Sequence, residues 1–105
     1  MAIRLLNSVT TTGVGSSYSV RKGILDHTVQ ATWTGNPTAV RINLEGSLDN
    51  STFYQLATHN CQPEEITNQS TMFHVTSKMV DFVRLNLETF TGGTSLTGLY
   101  DGDGV

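Results

Sequence analysis

Apolar and polar residues alternate over three stretches of this chain, the signature of a β-strand with one face buried and one in water. In AVRINLEGSLD, Val40, Ile42, Leu44, Gly46 and Leu48 fall on one side, opposite Arg41, Asn43, Glu45, Ser47 and Asp49. In MVDFVRLNLET, Met79, Asp81, Val83, Leu85 and Leu87 oppose Val80, Phe82, Arg84, Asn86 and Glu88. TVQATWTG repeats the pattern with Val29, Ala31 and Trp33 against Thr28, Gln30, Thr32 and Thr34. Successive side chains of a strand point to opposite faces, so a period of two aims one set at a core.

Weaker strands are predicted over 17–21, 52–57, 72–76 and 96–100. Turn signals separate them: Gly13-Val14-Gly15, Lys22-Gly23, Gly35-Asn36-Pro37, Asp49-Asn50 and Gly92-Gly93. Sixteen threonines reinforce the reading, because a β-branched side chain suits a pleated strand better than a helix. The spacing predicts an all-β fold, a single-domain β-sandwich of jelly-roll-like type with seven or eight short antiparallel strands. Pro63-Glu64-Glu65-Ile66 has the chemistry of a helix start without apolar follow-through, which predicts one turn or an irregular loop. The single domain spans residues 1–105, with extended arms expected at 1–16 and 98–105. The two ends of the chain differ from its middle: NSVTTTGVGSSYS is small, polar and glycine-bearing, and YDGDGV carries no apolar anchor except Val105.

The charge balance removes some function classes. A net charge of −3 and only six Lys and Arg residues spread along the chain do not make the basic stripe that nucleic acid requires. No apolar run reaches the roughly 18 residues of a membrane span. A single cysteine, Cys61, rules out an internal disulfide and fits assembly in a reducing cytoplasm. MAIRLLNSV lacks a cleavage-type segment, so no signal peptide is expected, and the glycosylation triplets at Asn50 and Asn68 read as chance.

Each candidate for chemistry has a plainer reading. His59-Asn60-Cys61, with His74 farther on, offers one His and one Cys near each other rather than the paired ligands of a zinc site. The same cysteine lacks a visible orienting group or oxyanion pocket for nucleophilic work. Asp101-Gly102-Asp103-Gly104 resembles a fragment of a calcium loop without the remaining oxygen ligands, and reads as a solvated acidic tail. GVGSS and GGTS precede no helix, so neither cradles phosphate, and the carboxylates are too scattered for glycoside hydrolysis. No catalytic residue, cofactor or metal is expected, and no enzymatic activity. Trp33, in register with Val29 and Ala31, is expected in the core, although an exposed Trp would be a sugar-stacking platform. Ser47, Asp49, Asn50 and Ser51 read as a hairpin corner.

The order TWTGNPTAVRINLEGSLDNSTFYQLATH followed by DFVRLNLETFTGGTSLTGLYDG resembles a pattern of small bacteriophage virion proteins. The elements are Leu44, Gly46, Ser47, Asp49, Asn50, Thr52, Phe53 and Leu56, then Phe82, Val83 and Arg84, then Thr91 to Thr94. They cover roughly residues 28 to 101, and Asn50 stands where glycine is more usual. Similar corners occur in jelly-roll carbohydrate-binding domains. The resemblance implies a structural virion protein made in the host-cell cytoplasm, most directly a capsid decoration or auxiliary head protein. Its partners would be the major capsid protein or other virion proteins, in a homo-oligomer or bound to the lattice, with no nucleic acid and no membrane. A head–tail connector, a tail protein and a virion-displayed carbohydrate-binding module are the alternatives. Ile3, Leu5, Leu6, Phe82, Leu99 and Tyr100 are the candidate partner-interface residues, Phe82 because it occupies the polar register of its strand.

Overall fold

The computed structural model of the chain describes residues 2–20 and 25–102. Seven strands and one short helix follow in the order β1 (Ile3–Val9), β2 (Gly13–Val14), β3 (Tyr18–Ser19), β4 (His27–Ser47), β5 (Tyr54–Asn60), α1 (Pro63–Asn68), β6 (Ser70–Val75) and β7 (Phe82–Gly102). All pair antiparallel in one hydrogen-bonded sheet whose spine is β4 against β7, in register from His27↔Gly102 to Ser47↔Phe82. The all-β prediction holds, but the strands are not uniformly short: β4 and β7 run 21 residues each. Gly35-Asn36-Pro37, expected as a turn between two strands, is a bend within one. The Gly92-Gly93 segment of β7 lies across from it, and the register shifts between Thr34 and Ala39.

That bend decides the shape. A straight 21-residue strand would measure about 70 Å, yet the longest dimension of the molecule is 38 Å. Leu85 and Gly98 lie on the same strand, 13 residues or about 43 Å apart if extended. A Cβ on Gly98 would nevertheless sit 2.7 Å from Leu85 Cδ1. The ribbon is therefore folded back so that its halves face each other. One half pairs β6 and β1 with the ends of β4 and β7 around residues 27–32 and 96–102. The other pairs β5, β2 and β3 with residues 41–47 and 82–89.

The core lies between the halves. Val29, Ala31 and Trp33 from one meet Ile42, Leu44, Val83, Leu85 and Leu87 from the other in one buried cluster. Trp33 is a core residue, 4% exposed, as its register predicted. Tyr18 and Tyr100 stack at a tilt with centroids 6.5 Å apart. Tyr100 also holds His27 Nδ1 at 2.6 Å, while His27 Nε2–H donates to the Lys78 carbonyl at 2.8 Å.

The chain's first segment is a strand, not a free arm. β1 pairs with β7 from Ile3↔Tyr100 to Val9↔Leu96, and residues 98–102 belong to β7 itself. Residue 1, residues 103–105 and the expected Lys22-Gly23 turn lie outside the described residues. An irregularity between Arg4 and Leu6 turns two consecutive residues, Leu5 and Leu6, inward. The helix runs two residues beyond the single turn expected at 63–66; Pro63 opens it and the Gln62 N–H donates to the Glu65 carboxylate at 2.7 Å, a capping contact. Among the described residues no helix is long and apolar enough to cross a membrane.

Candidate functional site

The hairpin corner after β4 is self-contained. Ser47 Oγ accepts the N–H groups of Asp49 (3.1 Å) and Asn50 (3.0 Å) and donates to Asp49 Oδ1 at 2.8 Å. The same carboxylate oxygen accepts the N–H groups of Ser51 and Thr52, both at 2.9 Å. Asn50 takes the left-handed conformation at φ 59°, which explains why asparagine serves where glycine is usual. The Thr52 and Ser51 N–H groups and the Ser47 hydroxyl hold the Asp49 carboxyl below its usual range. These bonds turn the chain and leave no activated nucleophile. Because the folded pKa is depressed, this stabilisation is complete above the unfolded value, about 3.9, and disappears as pH falls through the folded one. We expect Asp49→Asn to melt lower than the parent at neutral pH and to converge with it under acid, measured by thermal melts over a pH series.

Beside the corner is an open pocket of about 450 Å³ lined by Ser47, Asp49, Tyr54, Leu56, Val80 and neighbours. Leu48 and Met79, placed by alternation on the inward side, border it with Tyr54, at 69%, 64% and 70% exposure. They lie just past the ends of β4 and β7, where the pairing that enforces alternation has stopped.

The outer faces of the two halves differ in chemistry. On the β5 side, charges are paired along the ladder. Arg41 Nη1 donates to Glu88 Oε1 at 3.0 Å, Asn43 donates to the other oxygen, Arg84 Nε donates to Glu45 Oε1 at 2.6 Å, and Asn86 donates to Glu45 Oε2 at 3.1 Å. The Asn43 amide and then Arg41 hold the Glu88 carboxyl below its usual range. The Arg84 guanidinium also lies 4.0 Å over the Phe53 ring. On the β6 side the register lines up Gln30 with Met72 and Leu99, then Thr32 with Ser70 and Thr97, then Thr34 with Ser95. Thr34 and Ser95 share a hydroxyl hydrogen bond at 3.0 Å. This face carries hydroxyls and the Gln30 amide beside the apolar Met72 and Leu99, is uncharged at its centre, and has Arg4, His74 and Asp101 at its margins.

A third arrangement closes the open side of the sandwich between β5 and β6. His59 stacks on Phe73 with centroids 5.1 Å apart. A carboxylate can only accept, so His59 Nε2 carries hydrogen toward Glu65 Oε2 (2.9 Å) and Thr71 Oγ1 (3.0 Å). The Thr71 hydroxyl donates to the same Glu65 oxygen. Burial would raise the Glu65 pKa, but the Gln62 N–H, the Thr71 hydroxyl and His59 outweigh it and hold it low. Cys61 is half-buried, and burial followed by the Glu65 charge pushes its thiol up to about 11. Sequence reasoning considered His59 and Cys61 with His74. The structure substitutes Glu65 for His74, which lies on the outer face with its Nδ1 3.0 Å from Thr28 Oγ1.

Of the six expected interface residues, Leu5, Leu6 and Tyr100 are buried within the chain's own core, and Ile3 packs against it. Their side chains are used by the fold, because β1 and the end of β7 are paired strands. Phe82 and Leu99 are half-buried and reach the surface.

The architecture is an all-β single domain, one seven-stranded antiparallel sheet folded over so that its halves face each other across the core. No protein-family model matches the chain, and no curated protein matches it in sequence. Among solved structures it is similar to the SPBc2 prophage-derived protein YomS, with a TM-score of 0.62 and 14% identity over 95% of this chain and 90% of that one. It is similar to PirA at a TM-score of 0.51 and 11% identity, covering 91% and 92% of the two chains. It is also similar to the C-terminal domain of a chitobiase from Bacteroides fragilis, at 0.50 and 11%, over 75% of this chain and 56% of that one. Identities this low speak for shared fold.

Proposed function

We propose that this chain is a structural protein of a bacteriophage virion, attached to the capsid lattice as a decoration or auxiliary head protein. The observation that carries the reading is the outer face of Gln30, Thr32, Thr34, Met72, Ser95, Thr97 and Leu99, which has no charge at its centre. Desolvating charge is the main penalty when a polar surface is buried, and hydroxyls exchange water for neighbouring backbone at much lower cost. A repeated lattice adds many such weak contacts into firm attachment. The similarity in fold to a prophage-derived protein and the virion-type pattern in the sequence point the same way. A head–tail connector or tail protein would use the same face.

The test is light scattering and co-sedimentation with empty heads of the encoding phage. The chain is expected to sediment with heads. Thr32→Asp places an unpaired charge in the middle of the face and is expected to cost about 2 kcal/mol or more of binding, about thirtyfold. Thr58→Asp, on the outer face of the other half beside Asn43, is expected to leave binding unchanged. A monomer that ignores heads, or equal loss from both variants, removes the proposal. The second reading, glycan binding, is favoured by exposed Tyr54 above the pocket with the Asp49 carboxylate alongside. Quenching of tyrosine fluorescence by oligosaccharide, lost in Tyr54→Ala, would move it ahead.

A further inference from the structure

We propose that His59, Cys61 and Glu65 form a site for one zinc-class divalent cation on the open side of the sandwich. This departs from the sequence expectation, which set His59 and Cys61 beside His74 and expected no metal there. The end of β5, the short loop after it and the first turn of α1 bring one nitrogen, one sulfur and one oxygen to within 4.8 Å of one another. Tetrahedral zinc, with bonds of about 2.0–2.3 Å, needs donors about 3.3–3.8 Å apart, so the three atoms are within about an ångström of a fit. His59 Nε2 and Glu65 Oε2, now 2.9 Å apart, separate slightly as the ion enters between them.

The donor set selects the ion. A thiolate with an imidazole favours zinc over magnesium or calcium, which take oxygen ligands. Among the described residues three protein ligands converge, which leaves the fourth position to water or to a donor from a partner. The His59 and Glu65 side chains are 27% and 25% exposed, so the ion has a path in. Thr71 is a positioning residue: its hydroxyl contacts both the histidine and the carboxylate. The proton balance is simple. As the metal–sulfur bond forms, the thiol proton passes to solvent. The His59 hydrogen moves from Nε2 to Nδ1, so that the Nε2 lone pair faces the ion.

The decisive experiment titrates the full chain with Co²⁺ as a spectroscopic probe and then with Zn²⁺ as competitor. The expected result is a saturable one-to-one thiolate-to-cobalt band in the near ultraviolet, bleached by Zn²⁺. At about 100 times its Kd, Zn²⁺ is expected to raise Tm by about 10 °C. Cys61→Ser is expected to abolish the band, and Glu65→Gln to weaken binding at least about tenfold. His74→Ala is expected to change nothing. Circular dichroism establishes that each variant is folded, and the wild-type titration does not depend on them. No saturable band together with no Zn²⁺-dependent shift in the wild type overturns the site. So does binding that survives Cys61→Ser and is lost in His74→Ala.

Discussion

Gly35→Val is expected to lower stability by about 4 kcal/mol, the sum of two penalties that the bend in β4 makes unavoidable. Gly35 has φ +86°, and a Cβ there would lie 2.6 Å from Thr94 Oγ1 and 2.7 Å from the Thr94 backbone nitrogen. The positive φ alone costs an L-residue about 1–2 kcal/mol. The overlap adds about 1–3 kcal/mol, at the upper end because backbone cannot rotate out of the way. At about 4 °C per kcal/mol, Tm falls by about 15 °C. Gly13→Ala separates the two terms: its φ is +143°, but nothing lies within 4 Å of the added carbon, so only backbone strain remains. A Gly35→Val melt within a few degrees of the parent would mean that the ribbon does not turn at Gly35.

The bend also shows where sequence reading succeeds and where it stops. The buried aliphatic and aromatic positions of β4 are odd up to Trp33 and even from Val40, and those of β7 are odd up to Leu87 and even from Phe90. Both parity changes are visible in the sequence, and each marks an irregularity in a strand. What the sequence does not distinguish is a bend from a hairpin, since Gly35-Asn36-Pro37 suits either. The outcome is set by the partner: Gly92-Gly93 lies opposite, so both strands bend together and stay paired. β1 was illegible for a related reason. Leu5 and Leu6 both point inward past a register shift, which erases the alternation that would have announced a strand.

The side cluster was half legible. His59 and Cys61 stand out as ligand types, but Glu65 reads as a helix-start acid, which it also is. Its approach to Thr71 depends on Gln69, whose left-handed φ of 60° ends α1 and sends the chain back along β4. No spacing rule encodes that reversal. The hairpin corner, by contrast, was fully legible, because its hydrogen bonds join residues at most three apart.

Leu85→Ala is expected to destabilise the chain by about 3 kcal/mol, the lost transfer energy of a buried leucine plus the cavity left behind. Leu85 is fully buried at the point where the two halves of the folded sheet meet, and its Cδ1 fills the space over Gly98. That proximity gives a sharper test than the single variant. Gly98→Ala in the parent puts a methyl 2.7 Å from Cδ1 and 3.4 Å from Leu6, and a core leucine has little room to retreat. A cost of about 1–2 kcal/mol follows from overpacking. In the Leu85→Ala background the same methyl enters the new cavity, where most of that cost disappears. The double variant is therefore expected to be more stable than the sum of the singles by about 1 kcal/mol, a coupling within reach of denaturant titration. Residues 13 apart on a straight strand would be far beyond the range of such coupling. Strict additivity would therefore separate the halves of the sandwich and leave the outer face, on which the assembly reading rests, without its support.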